Sequence, residues 1–239
     1  MLVDVTMHEE ESVAVLTFSC GEDNALSPEL VAALELKLTE LEKDDSVRAL
    51  VLTGGGAKAF CTGLDLKWLA TKAKEPQCIG AYLKAINEVY LRLTLFSKPT
   101  VGALNGHTFA AGLFLAAHLD FRVMRDDRGW ACLPEVDINI PLLPGMIAIC
   151  EAVMPPQSFR QFYYTGARFT ATQAQEMGFV DKVCSLDELL PQAVAFAATL
   201  GKKQTRTYAE MKRRIRQPIA DLLRDEDPKH FAATLSFAM

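Results

Sequence analysis

The chain has 239 residues, half of them hydrophobic, with a formal net charge of −5 and a pI near 5.5. That is enough apolar material for one large domain, or a domain with a short appendage. The acidic balance argues against a nucleic-acid binder, which would carry a basic excess, and no apolar run approaches the roughly 20 residues of a membrane-spanning helix.

Six cysteines occur, at 20, 61, 78, 132, 150 and 184, and none forms a C-x-x-C pair. Zinc and thiol-redox motifs are therefore missing, no metal is expected, and the cysteines read as reduced core residues. Residues 1–11 are acidic and lack a secretory pattern, and Phe237-Ala238-Met239 is not a Ser-Lys-Leu-type address. The expected location is cytoplasmic.

In chain order, residues 13–18 form a short β-branched run and read as a strand. Ser27-Pro28-Glu29 reads as a helix cap with proline in the first turn, and Leu30, Leu34, Leu38 and Leu41 continue it at helical spacing. Residues 48–53 read as a buried strand ending in Gly54-Gly55-Gly56. A helix is expected over 79–96, a strand over 99–104, a turn at Asn105-Gly106-His107 and an apolar helix over 113–119, opened by Ala110-Ala111-Gly112. Strands follow at 121–124 and 130–133, then helices near 145–153, 157–164, 171–177 and 186–200. From Lys202 onward the composition becomes charged, with Lys212-Arg213-Arg214, Arg216 and Asp225-Glu226-Asp227, and reads as a helical tail. Alternating strands and helices place the fold in the α/β class.

Three segments could carry chemistry. The glycine loop after residue 53 runs into Ala57-Lys58-Ala59-Phe60-Cys61-Thr62-Gly63-Leu64-Asp65-Leu66 but meets neither nucleotide fingerprint. It is either a plain turn or a place where a ligand approaches backbone N–H groups. At Ala110-Ala111-Gly112, small residues open a helix whose first N–H groups lack intrahelical partners, which is what an oxyanion hole needs and what tight packing also uses. In Leu133-Pro134-Glu135-Val136-Asp137, a carboxylate in apolar surroundings would have a raised pKa and act as acid or base, whereas a surface carboxylate would not. His107 could contact a substrate. His118 and Asp120 read as structural, and Asp137 reads as sharing a strand face with Glu135 or as solvated.

Taken together and in this order, the segments resemble the enoyl-CoA hydratase/isomerase, or crotonase, family. The matching stretches are Gly54 to Leu66, Lys98 to Gly112, Pro134-Glu135 with Pro144-Gly145, and Thr165-Gly166 through Gly178-Phe179-Val180 to Val183, so that the resemblance spans roughly residues 12–200. It implies a crotonase-like ββα spiral over 1–200, including the first trimerisation helices, and a charged helical C-terminal segment over 201–239. It implies a homotrimer or a dimer of trimers. It places the oxyanion-hole amides at Leu64 and Ala111, and acyl-CoA contacts at Lys58, Lys67 and Asp65. Coenzyme A enters as part of the thioester substrate, and no separate cofactor is implied.

Hydratases of the family use two glutamates. One matches Glu135, while the place of the other is taken by Phe114. The pattern therefore resembles the Δ3,Δ2-enoyl-CoA isomerases of fatty acid β-oxidation, with Glu135 moving a proton to turn a 3-enoyl-CoA into the 2-trans isomer. The alternatives are another reaction of the family, such as weak hydration or thioester hydrolysis, and non-catalytic acyl-CoA binding.

Overall fold

The computed structural model describes the backbone of residues 1–238 and the side chains of residues 1–234; Met239, the end of the expected C-terminal segment, lies outside the described residues. The chain opens with a hairpin, β1 (Val3–His8) antiparallel to β2 (Val13–Phe18). Helix α1 (Pro28–Lys43) starts where its cap predicts: the Ser27 hydroxyl accepts the Leu30 N–H at 3.2 Å, and Leu30, Leu34, Leu38 and Leu41 are buried.

Three turns of one theme follow. The first is β3 (Ala49–Gly54), β4 (Ala59–Cys61), α2 (Leu66–Thr71) and α3 (Pro76–Leu95). The second is β5 (Thr100–Leu104), β6 (His107–Phe109) and α4 (Ala111–Ala117). The third is β7 (Phe121–Arg125), β8 (Ala131–Cys132), a 3-10 turn (Pro134–Val136), α5 (Pro144–Val153) and α6 (Pro156–Thr165). The spiral closes with β9 (Arg168–Phe169), α7 (Ala171–Glu176), β10 (Lys182–Cys184) and α8 (Leu186–Gly201).

Each turn gives one strand to a six-stranded sheet, ordered β1-β2-β3-β5-β7-β10, and one to a four-stranded sheet, ordered β4-β6-β8-β9. Apart from the β1–β2 hairpin, the larger sheet is parallel. Its central strands are apolar on both faces, as a doubly covered sheet requires. Ala14, Leu16, Leu50, Leu52, Leu104 and Met124 join the main core with α1, α3 and α4. Their odd-numbered neighbours Val13, Val15, Val51, Val101 and Val123 pack against Ala193, Val194 and Ala197 of α8.

The sequence reading did not anticipate β1, β4, β6, β9, β10 or α2. All of these are two to six residues long, too short for a period to stand out.

The charged tail is not a free appendage. Helix α9 (Thr205–Asp221) buries Lys212, whose Nζ lies 2.8 Å from Asp120 Oδ2, while Arg216 lies 3.4 Å from Oδ1. A π-helical turn (Leu222–Glu226) leads into α10 (Asp227–Ala238), and the Asp227 carboxylate accepts the Gly145 N–H at the start of α5 at 2.7 Å. Among the described residues, no helix is long and apolar enough to cross a membrane.

Candidate active site

The segment after β4 and the start of α4 meet because two glycines leave room. A Cβ on Gly112 would stand 2.2 Å from the Cys61 carbonyl oxygen, and one on Gly63 would stand 3.1 Å from the Ala111 nitrogen. Gly63 has φ +103°, natural for glycine, but Ala110 holds φ +50° with a full side chain.

The reason for these dihedrals lies in two peptide planes. In a trans peptide the C=O and N–H point in opposite directions. The Gly63 C=O accepts the Leu26 N–H at 2.8 Å, so the Leu64 N–H of the same plane faces away from Leu26. The Ala110 C=O accepts the Leu113 and Phe114 N–H groups at 2.8 and 3.2 Å, so the Ala111 N–H faces out of the helix end. Neither the Leu64 nor the Ala111 amide donates to an acceptor among the described residues. Two N–H groups, on segments that meet at Gly63 and Ala111, are thus left without a chain acceptor among the described residues, as a developing oxyanion would need.

Glu135 sits in the 3-10 turn, not on a strand, so it does not share a strand face with Asp137. The tight turn after Pro134 sends Glu135 inward, 6% exposed, and leaves Asp137 exposed. Burial pushes the Glu135 carboxyl up to about 7, opposed only by a hydrogen bond from its own backbone. Its Oε2 is buried with no hydrogen-bond partner among the described residues. The turn is tied to the donors through β8, since the Cys132 C=O accepts the Ala110 N–H at 3.0 Å. Phe114, one turn into α4, is fully buried and offers no proton.

The glycine loop is held rigidly. Asn24 accepts the Cys20 N–H and donates to the Gly55 and Ala59 carbonyls, Asn105 donates to the Gly56 carbonyl, and Arg125 donates to Ala57. Lys58, 41% exposed, pairs with Asp23 at 2.8 Å and Glu22 at 3.6 Å, which raises its pKa. Lys67 is exposed on α2 and has no ion-pair partner among the described residues. Asp65 caps α2, its carboxylate accepting the Trp68 N–H at 2.9 Å.

His107 stacks on Trp130 and packs against Phe109, while His118 is fully buried against Tyr90 and Thr94. Among the described residues, no three His, Cys, Asp or Glu side chains gather as a metal site. The sequence marks neither Tyr82 nor Tyr90, whose partners lie far along the chain, nor the strained backbone of Ala110, since alanine carries no turn signal.

Residues 8–233 match the protein family described as enoyl-CoA hydratase/isomerase. YngF of Bacillus subtilis, assigned to the same family by name, is 32% identical over 193 residues, covering 80% of this chain and 73% of its own. Mitochondrial enoyl-CoA delta isomerase 1 of Rattus norvegicus is 27% identical over 236 residues, covering 95% of this chain and 79% of its own. The crystal structure of human mitochondrial delta3-delta2-enoyl-CoA isomerase superposes with a TM-score of 0.94 at 26% identity, covering 100% of this chain and 92% of that one.

Proposed function

The chain belongs to the enoyl-CoA hydratase/isomerase family, and from that premise we propose that it converts a 3-enoyl-CoA into the 2-trans-enoyl-CoA. The observation that carries this reading is the buried Glu135 carboxylate, with one oxygen unpartnered among the described residues, while the position where the family resemblance expects a hydratase's second acid holds the buried Phe114.

In the proposed reaction the thioester oxygen accepts the Leu64 and Ala111 N–H groups. Glu135 takes the proton from C2 and the electron pair moves onto that oxygen, giving an enolate. Glu135 then returns the same proton at C4 as the electrons flow back, so no atom is gained or lost. A group whose pKa is about 7 can both take and give a proton near neutrality. Each main-chain donor is worth about 3 kcal/mol of enolate stabilisation. Hydration would need a second group to orient water, and Phe114 cannot do so.

The proposal extends to Lys58 and Lys67 as contacts for the phosphates of coenzyme A and to Asp65 as a neighbour of the substrate. No cofactor beyond the thioester itself takes part. It includes assembly as a homotrimer or a pair of trimers, supported by exposed Val136, Ile138, Ile147 and Tyr164 on neighbouring elements and read by light scattering. A cytoplasmic location is supported by six free cysteines.

The test is an assay of the purified chain with 3-enoyl-, 2-enoyl- and saturated acyl-CoA. Turnover of the 3-enoyl ester alone, lost in Glu135→Gln while ester binding persists, is the expected result. Near-normal turnover by Glu135→Gln, or hydration or hydrolysis as the main reaction, would overturn the isomerase reading.

A further inference from the structure

Helix α3 runs beneath both halves of the donor pair, and each half is gripped by one of its tyrosines. Tyr82 and Tyr90 stand eight residues apart, a little over two turns, and both are buried. The Tyr82 hydroxyl accepts the Asp65 N–H at 3.0 Å and donates to the Leu26 carbonyl. Leu26 also holds the Gly63 carbonyl through its own N–H. Leu64 is therefore bracketed, its own peptide plane pinned by Leu26 and the next plane by Tyr82. The Tyr90 hydroxyl donates to the Ala111 carbonyl at 2.6 Å, fixing the residue that carries the other donor.

Both rings are themselves wedged. Tyr82 packs against Trp68 with ring centroids 4.9 Å apart. Tyr90 stacks on His118 at 4.8 Å and 22°. The Thr94 hydroxyl has one proton, which it donates to the Tyr90 backbone carbonyl at 2.7 Å, so His118 Nδ1 is the donor in its 2.7 Å contact with Thr94. His118, whose pKa burial holds well below the usual imidazole value, thus backs the ring that holds Ala111.

We propose that Tyr82 and Tyr90 are positioning residues through which α3 sets the separation and aim of the Leu64 and Ala111 amides. Neither hydroxyl acts on the substrate; both act through the two donors. The inference rests on the reading of those amides as an oxyanion hole. It also predicts coupling between the tyrosines, because a pair of donors loses most of its focus once either member is free to move.

The experiment uses the full chain with Tyr82→Phe, Tyr90→Phe and the double variant, which keep the rings and remove only the hydroxyls. Val89→Ala on the same helix, buried but without a polar contact to the donors, serves as the stability control. Two readouts are taken: kcat and KM with a 3-enoyl-CoA, and the absorption shift of a conjugated dienoyl-CoA bound in a Glu135→Gln background. That shift reports polarisation of the thioester carbonyl without turnover.

Each tyrosine variant should lower kcat by about tenfold, since a weakened donor loses part of the ~10²-fold effect of a lost one. KM should stay nearly constant, the absorption shift should shrink, and the double variant should lose less than the product of the single losses. Val89→Ala should lower the melting temperature and leave kcat and the shift in place. Tyrosine variants that lose stability but keep kcat and the shift would overturn the clamp. An absorption shift in Glu135→Gln with both tyrosines intact, alongside no isomerase turnover by the unsubstituted chain, would refute the isomerase reading alone, with the clamp still judged by the shift. If Glu135→Gln with both tyrosines intact shows no shift, the oxyanion-hole reading and the clamp both fall.

Discussion

Replacing Glu135 by Gln separates the cost of the site from its use. In the folded chain the carboxyl is pushed from 4.5 up to about 7 by burial. A carboxyl with a raised folded pKa binds its proton more tightly folded than unfolded. The fold is therefore most stable while both states are protonated, and it loses stability as pH rises from about 4.5 to about 7. The full difference corresponds to about 3 kcal/mol at 1.36 kcal/mol per pKa unit, of which about 2.5 kcal/mol falls between pH 5 and pH 8. Glutamine never ionises and escapes this loss. Its new N–H group faces a position where Oε2 has no partner, a cost of about 1 kcal/mol that does not vary with pH. Urea unfolding of both proteins at several pH values should show Glu135→Gln gaining about 2.5 kcal/mol on the parent from pH 5 to pH 8. Turnover should fall by about 10²-fold or more at every pH, while kcat/KM of the parent rises with pH and levels off above about 7, where the base is free. Parallel stability curves would refute the claim that Glu135 is held in a desolvated site.

Gly63→Ala should lower kcat by about 10²-fold and stability by about 2 kcal/mol, because the new Cβ would meet Ala110 Cβ at 2.9 Å and the Ala111 nitrogen at 3.1 Å at φ +103°; kinetics and chemical denaturation check both. Lys212→Met should destabilise by about 3 kcal/mol, since Asp120 is 8% exposed and loses its closest cation, with Arg216 only partly replacing it; urea titration measures this. Lys67→Ala should raise KM for the CoA ester more than Lys58→Ala, because Asp23 and Glu22 already share the Lys58 charge, and the difference should shrink at high salt. Equal effects at all ionic strengths would count against direct phosphate contact.

The sequence by itself determined the α/β class, the long helices and the core strands, while the spiral was implied by the family resemblance. Those elements carry a period of 3.6 or a continuous apolar run long enough to read, as in Leu30, Leu34, Leu38 and Leu41. It also shows a carboxylate at Glu135 and none at Phe114, the two positions on which the proposed chemistry turns. Only the tertiary structure decided that Glu135 turns inward while Asp137 faces water, since a three-residue 3-10 turn leaves no pattern. Ala110 takes a left-handed backbone although nothing local favours it, because its C=O accepts the Leu113 and Phe114 N–H groups while its N–H donates to the Cys132 C=O, and together these over-determine it. The contacts of Tyr82 with Leu26 and of Lys212 with Asp120 join residues 56 and 92 positions apart. Such pairings exist only once the chain has closed, for a lone tyrosine or lysine in a helical pattern carries no mark of the carbonyl or carboxylate it will meet.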